Sequence, residues 1–241
     1  GSPLQLRFVA EAGEPRAATS ALLDRQRQPL VSGAPVELVV GETLELLVQL
    51  ADADGIALPP GGVDYIGELT VEVSPPPLYP PSIQPAADGL YMTTISARSA
   101  GTYYVDVMLQ RVSLGNSGVP ARFHEGPTDA ANMQVLARNG AGALEDPLAV
   151  TAGEEAYVYV RSFDMYNNPR QYSSVADADP YSGTLQGVEE LEVHVQDLKS
   201  GAYHLIFAPT VTGLFSLEVQ LAGGAVTTVP VLVTPAAFYA A

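Results

Sequence analysis

The sequence predicts an all-β protein of two successive sandwiches. Three observations carry that expectation: an internal repeat, a period-two alternation of apolar residues, and enough glycine and proline to leave little room for helices. The repeat sets the domain count. Pro35, Gly41, Glu42 and Asp52 recur as Pro147, Gly153, Glu154 and Asp164, each 112 residues later. Gly89, Tyr91, Gly101 and Leu109 recur as Gly201, Tyr203, Gly213 and Leu221 at the same spacing. A period of about 110 residues is that of a whole domain, well above the roughly 20 to 50 of solenoid repeats. The chain is therefore read as one domain over residues 4–125 and a second over 131–235, joined by a short linker, His124–Asn132, that restricts their mutual orientation.

Alternation supplies the strands. In the first copy Leu44, Leu46, Val48 and Leu50 occupy every second position, as do Tyr103, Val105, Val107 and Leu109. In the second, Ala156, Val158 and Val160 alternate with Tyr157, Tyr159 and Arg161, followed by Tyr203, Leu205 and Phe207 and then Phe215, Leu217, Val219 and Leu221. Each series buries one face of a strand, so two sheets must meet over it. Leu6–Ala10 and Met133–Ala137 read as the opening strands of the two copies. The one helical suspect in the first half is Ala17–Gln28. About seven strands in roughly 100 residues give an immunoglobulin-like sandwich. Its usual disulfide is impossible here because the chain has no cysteine.

Composition removes several function classes. The chain has 241 residues, 27 acidic against 11 basic, and a net charge of -16, which opposes a general grip on nucleic acid or an anionic membrane face. The acids are spread along the chain, as on a solvated surface. Without cysteine there is no thiol nucleophile, iron–sulfur cluster or Cys-ligated zinc, and three histidines leave little for a His-rich metal site. No apolar run reaches the roughly 18 to 20 residues of a membrane span, so no direct membrane insertion is expected. Gly1-Ser2-Pro3 reads as a cloning remnant, so the chain is expected to be a piece of a larger protein. The lack of cysteine and of an N-x-Ser/Thr acceptor leans toward a cytoplasmic setting over the cell surface.

The second copy resembles the filamin-type immunoglobulin repeat. Asp164-Met165-Tyr166-Asn167-Asn168-Pro169 is similar to that family's Asp-x-x-Gly-Asn-Pro turn. Gly201-Ala202-Tyr203, Gly213-Leu214-Phe215 and Val229-Pro230-Val231 follow in the family's order. The first copy is more divergent: it keeps Asp52, Gly61-Gly62-Val63-Asp64, Gly89-Leu90-Tyr91 and Gly101-Thr102-Tyr103, but has Ala97-Arg98 where a proline belongs. The resemblance implies filamin-type sandwiches that act as spacers and docking modules and take a partner strand between strands C and D. It does not imply direct actin binding, which in that family belongs to a separate helical domain.

An unpaired edge strand is a physical basis for such docking, because an extended peptide satisfies its free backbone groups. In the first copy strand C is read at Gly67–Val73 and strand D near Ser82–Gln84, which makes Leu69, Val71, Val73 and Ile83 candidate contacts. Between them runs Pro75-Pro76-Pro77-Leu78-Tyr79-Pro80-Pro81. It is a rigid guard of the edge, a displayed proline-rich ligand with Tyr79 as its aromatic, or a lid over the C–D groove. In the second copy Glu189–Gln196 is either strand D, with Tyr181–Gly187 as strand C, or strand C itself with D nearly missing; the first reading is preferred, with Leu191, Val193 and Val195 lining the groove. Tyr157 and Tyr159 add outward aromatics that cover surface, pack against the other domain or form a contact site.

Chemistry is hard to find. No Gly-x-Ser-x-Gly turn, P-loop or His-Glu-x-x-His helix occurs. His194 and His204 read as strand residues, and Glu189-Glu190 as a solvated strand start. Asp177 and Asp179, with Asp164, form the one ionic cluster worth considering for calcium, against the plainer reading that they keep loops soluble. The expected function is thus a non-enzymatic scaffold or spacer, without cofactor, that docks protein partners in a cytoskeletal or ciliary assembly. The alternatives are an extracellular adhesion segment and a calcium- or carbohydrate-binding sandwich.

Overall fold

A computed structural model describes residues 13–31, 33–60, 62–136, 144–171 and 178–236. These separate into two compact units between His124 and Glu125. Each is a pair of β-sheets, and among the described residues helix is limited to two single 3-10 turns, Ile66–Glu68 and Ala87–Gly89.

In the first sandwich, β1 (Ala21–Leu23), β3 (Thr43–Gln49), β6 (Tyr91–Ser96) and β5 (Ser82–Pro85) form one antiparallel sheet in the order β1-β3-β6-β5. The facing sheet runs β2-β9-β7-β4, from β2 (Val36–Val39), β9 (Val119–His124), β7 (Gly101–Leu109) and β4 (Leu69–Ser74). Its β2–β9 pair is parallel, and the short β8 (Val112–Ser113) folds back on β7. The second sandwich repeats the plan. β10 (Gln134–Leu136), β12 (Ala156–Arg161), β16 (Ala202–Phe207) and β15 (His194–Asp197) make one sheet. β11 (Leu148–Thr151), β18 (Gly224–Thr234), β17 (Gly213–Leu221), β13 (Tyr181–Gln186) and β14 (Glu190–Glu192) make the other.

The alternating residues face the cores. Leu46, Val48, Val105, Val107 and Ala121 are at most 1% exposed in the first sandwich, as are Val158, Val160, Leu205, Leu217 and Val219 in the second. Each such Val or Leu contributes about 1.5 to 3 kcal/mol of transfer free energy, which is how a fold without a disulfide holds its sheets together. The 112-residue period extends to pairing: Leu46 lies opposite Thr93 and Val158 opposite Leu205. Tyr203 and Phe215 are core residues, 1% and 4% exposed.

Glycine recurrence has a steric cause at the turn that enters β6 in the first sandwich and β16 in the second, called here the D–E turn. Gly201 has φ +66, and a Cβ there would lie 2.1 Å from the Arg170 carbonyl oxygen. Its counterpart Gly89 has φ +76, with Pro60 N 2.9 Å from the same position. Positive φ and close backbone approach together leave room for glycine alone.

Two expectations change, and a third falls outside the described residues. Ala17–Gln28 holds no helix: it is a turn followed by β1, whose Leu22 inserts fully into the core. Tertiary burial prevails there over local propensity. Leu6–Ala10 lies outside the described residues, and the described opening strand is β1. Glu189–Gln196 is not a single strand D. It splits into β14, which pairs with β13, and β15, which pairs with β16 in the opposite sheet. Val193, between them, is 5% exposed and donates its N–H to the Gly183 carbonyl at 3.2 Å. Its side chain has to enter the core where the chain crosses from sheet to sheet, and this divides the run.

Candidate functional site

The C–D side differs between the two sandwiches. In the first, β4 is the end strand of its sheet and, among the described residues, pairs only with β7. The cause is local. Six of the eleven residues from Pro75 to Pro85 are proline, and proline has no N–H to donate to a ladder. The chain leaving β4 therefore cannot fold back onto it. In the second sandwich Gly187–Gln196 has no proline, and β14 covers the outer edge of β13 through Thr184–Glu192, Leu185–Leu191 and Gln186–Glu190.

The predicted contacts distribute unevenly. Leu69 is 6% exposed and belongs to the core. Val71 and Val73 face inward on β4 opposite Val107 and Val105, yet remain half-buried because nothing pairs beyond them. Ile83 is half-buried on β5. Tyr79 is 56% exposed, with the Arg98 guanidinium 5.5 Å from its ring centre, and Leu78 beside it is 62% exposed. In the second sandwich Val193 is core, whereas Leu191 and Val195 pack partly buried against it. A cavity of about 470 Å3 opens along Tyr181–Gly183 and Glu192–Val195. Tyr157 and Tyr159 stand half-buried on the outer face of β12 around His204, with ring centres 4.4 and 5.8 Å from it.

Two groups that the sequence reading passed over adjoin the open edge. Glu72 on β4 lies directly opposite Asp106 on β7. Asp106 accepts hydrogen bonds from Ser113 Oγ at 2.8 Å and Ser117 Oγ at 2.6 Å, while Glu72 is exposed. Like charges directly opposed across a ladder are destabilising. The glutamate signal was present in the sequence, but its partner depended on register.

The buried ionisable groups serve turns. Asp52 accepts the N–H groups of Gly13, Ile56 and Asp54 at 2.9, 2.9 and 3.0 Å, and those bonds, that from Gly13 foremost, hold its carboxyl below the ordinary 3.8. Asp164 receives the N–H groups of Gly126, Tyr166 and Asn168, each at 2.9 Å, and the Asn168 side-chain amide. Its oxygens are thus engaged by backbone. Asp179 takes Thr128 Oγ1 at 2.6 Å and lies 3.9 Å from Arg170, and Asp177 lies outside the described residues. Among the described residues no group of three or more His, Asp or Glu is placed to hold a metal ion. His194 and His204 occupy neighbouring strands, opposite Ile206 and Gln196 respectively.

Burial, ahead of the Asp64 carboxylate that its hydroxyl meets at 3.2 Å, pushes the Tyr91 hydroxyl above 10.0. Burial likewise raises Tyr181, whose hydroxyl is 2.9 Å from Ser162 Oγ. A cavity of about 280 Å3 adjoins Tyr91, Asp64 and Tyr65. At its wall Tyr65 donates its N–H to the Tyr91 oxygen at 2.9 Å, and the Tyr91 hydroxyl meets Asp64.

No protein-family model matches the chain, and no curated protein is significantly similar to it in sequence. Solved structures do match. FdeC, an adhesin of Escherichia coli, aligns over 92% of this chain at 16% identity with a TM-score of 0.54. Invasin, a bacterial integrin-binding protein, aligns over 95% at 14% identity with a TM-score of 0.58. This chain spans 66% and 42% of those two chains. The Lin-41 filamin domain aligns with 44% of this chain at a TM-score of 0.33, too loose a match to single out the filamin type. With two sheets in each half and a shared strand order, the chain is a tandem pair of immunoglobulin-like β-sandwiches.

Proposed function

We propose that this chain is a non-enzymatic contact segment of an extracellular adhesion protein, and that its first sandwich takes an extended, basic strand of a protein partner along β4. The observation that carries the reading is the unpaired β4 edge beside Glu72 and Asp106. An added strand would extend the β2-β9-β7-β4 sheet by backbone bonding, and a Lys or Arg opposite Glu72 would relieve its repulsion from Asp106. Its alternate residues would cover the half-buried Val71 and Val73. A net charge of -16 opposes a second copy of this chain as the added strand and favours a cationic one.

The adhesion setting is preferred to the cytoskeletal or ciliary one because two structural neighbours with TM-scores above 0.5 are described one as an adhesin and one as an integrin-binding protein. The filamin resemblance supports the same edge as a docking place in either setting. A non-enzymatic role fits buried ionisable groups that are spent on turns.

The test is titration of the isotope-labelled chain with a ten-residue peptide of alternating lysine and valine, followed by amide shifts. Shifts confined to residues 69–74 and their β7 neighbours, weakening with salt, support the proposal. Unchanged β4 amides, or shifts centred on β14, overturn it.

A further inference from the structure

Five of the seven residues from Pro75 to Pro81 are proline, and the segment carries neither strand nor helix between β4 and β5. Proline fixes φ near about −65° and turns the residue before it away from the α region, so Pro75, Pro76, Tyr79 and Pro80 favour the extended polyproline II form. Both ends of the segment are held, because Ser74 pairs with Tyr104 and Ser82 with Thr94. Pro77 and Pro81 are half-buried, whereas Pro75, Pro76, Leu78, Tyr79 and Pro80 are exposed. The loop leans on the sandwich by two prolines and turns the rest outward.

Guarding the edge explains the prolines but not the two residues among them. A missing N–H blocks pairing whatever side chains lie between. Leu78 and Tyr79 are nonetheless consecutive and mostly exposed, the one such pair of large apolar side chains among the described residues. A pair left in water adds nothing to the core. Tyr79 is also steadied from outside the loop. The Arg98 guanidinium, from the turn between β6 and β7, lies 5.5 Å from its ring centre, a cation–π distance.

We infer that Pro76-Pro77-Leu78-Tyr79 is a ligand displayed to a protein domain with an aromatic-lined groove. The groove takes the Pro76–Pro77 pair against its aromatic faces. An adjoining pocket takes the Tyr79 ring, which the bend at Leu78 and Tyr79 sets apart from the prolines. Prolines of fixed φ, in a loop tied at both ends, lose little freedom on binding, so the contact is preorganised. The inference rests neither on a strand added to β4 nor on the adhesion setting.

The chain has no tryptophan, so the tryptophan fluorescence of an added WW domain, a small module whose groove reads Pro-Pro-x-Tyr segments, reports on that groove alone. Titrating the full chain into a purified WW domain of that class is expected to shift the fluorescence saturably. The chain's own amide shifts should centre on Leu78, Tyr79 and Arg98. Tyr79→Ala and Pro76→Ala, both on the exposed loop, should each weaken binding at least about tenfold with the fold intact by circular dichroism. Met165→Ala removes an exposed apolar side chain from the second sandwich and should leave binding within about twofold. Tyr79→Ala should also leave the affinity of the lysine–valine peptide for β4 within about twofold; a tenfold loss there would merge the two surfaces and overturn the inference. No fluorescence change up to about 1 mM chain, binding that survives both loop substitutions, or shifts centred away from residues 75–82 and Arg98 overturns it as well.

Discussion

The two sandwiches share strand order, core register and turn aspartates, yet they finish the C–D side in opposite ways. After β4 the first sandwich runs into prolines and leaves the edge open, whereas after β13 the second turns at Gly187 and covers its edge with β14. A sheet edge costs a soluble protein aggregation risk, and both solutions answer it: one with a proline-rich, acidic flank, the other with a short added strand. The lesson is that a few loop residues decide whether the same scaffold is closed or ready to accept a strand. The core is less even than it looks. Where the second sandwich packs Leu205 against Val158, the first places Thr93 opposite Leu46, wholly buried, its hydroxyl without a hydrogen-bond partner among the described residues.

Changes at equivalent positions should break this comparison in graded steps. The largest effect is expected at the D–E turn. Gly201→Ala forces a Cβ to within 2.1 Å of a carbonyl oxygen, against 2.9 Å to the nearest atom for Gly89→Ala. The first substitution should destabilise its sandwich by more than about 3 kcal/mol and the second by less, read as separate unfolding transitions in calorimetry. Equal losses would mean that the loop after β12 relaxes freely.

At the edges, Val71→Lys places an inward charge on the open strand and should weaken the alternating lysine–valine peptide at least about tenfold, or about 1.4 kcal/mol, with the fold intact by circular dichroism. Leu191→Lys on the covered side should leave that affinity within about twofold. Val193 is unsuitable for this control, because a lysine there would enter the core.

Thr93→Val should sharpen the core comparison. It removes a buried hydroxyl that gains nothing, and it should stabilise the first sandwich by about 1 kcal/mol in urea unfolding. No gain would indicate that ordered water bonds the hydroxyl. The subtlest difference is expected in acid. Asp52 is depressed in the folded chain, so the stabilisation it supplies is complete above the ordinary 3.8 and is lost as pH falls below that value through the lowered one. Gly13 and Ile56 amides should thus keep their exchange protection at pH 5 and lose it in stronger acid, before the β3 amides do. Loss already at pH 5 would contradict the lowered value.

Much of this was legible in one dimension. Alternation at Leu44–Leu50 and Phe215–Leu221 named the core faces because strand geometry turns every second side chain inward. Asp52 and Asp164 were legible as turn residues, and strands C and D of the first sandwich were placed within two residues of β4 and β5. The candidate contacts were less legible. Leu69, Val71 and Val73 alternate identically in the sequence, but only Leu69 is covered from both sides. Glu72 gained meaning only when register set it against Asp106.

What the sequence by itself determined is therefore periodic and local: two copies of an all-β unit, most of their strands, and the turns that demand Gly, Pro or Asp. What tertiary structure decided is non-local. It divided Glu189–Gln196 between two sheets, made a strand of Ala21–Leu23, left the outer edge of β4 without a partner strand among the described residues, and drew Gly126 and Asn132 onto Asp164. Alternation states which way a side chain points relative to its own strand. Which backbone lies alongside depends on segments tens of residues away, and on whether the cores they share leave room for them.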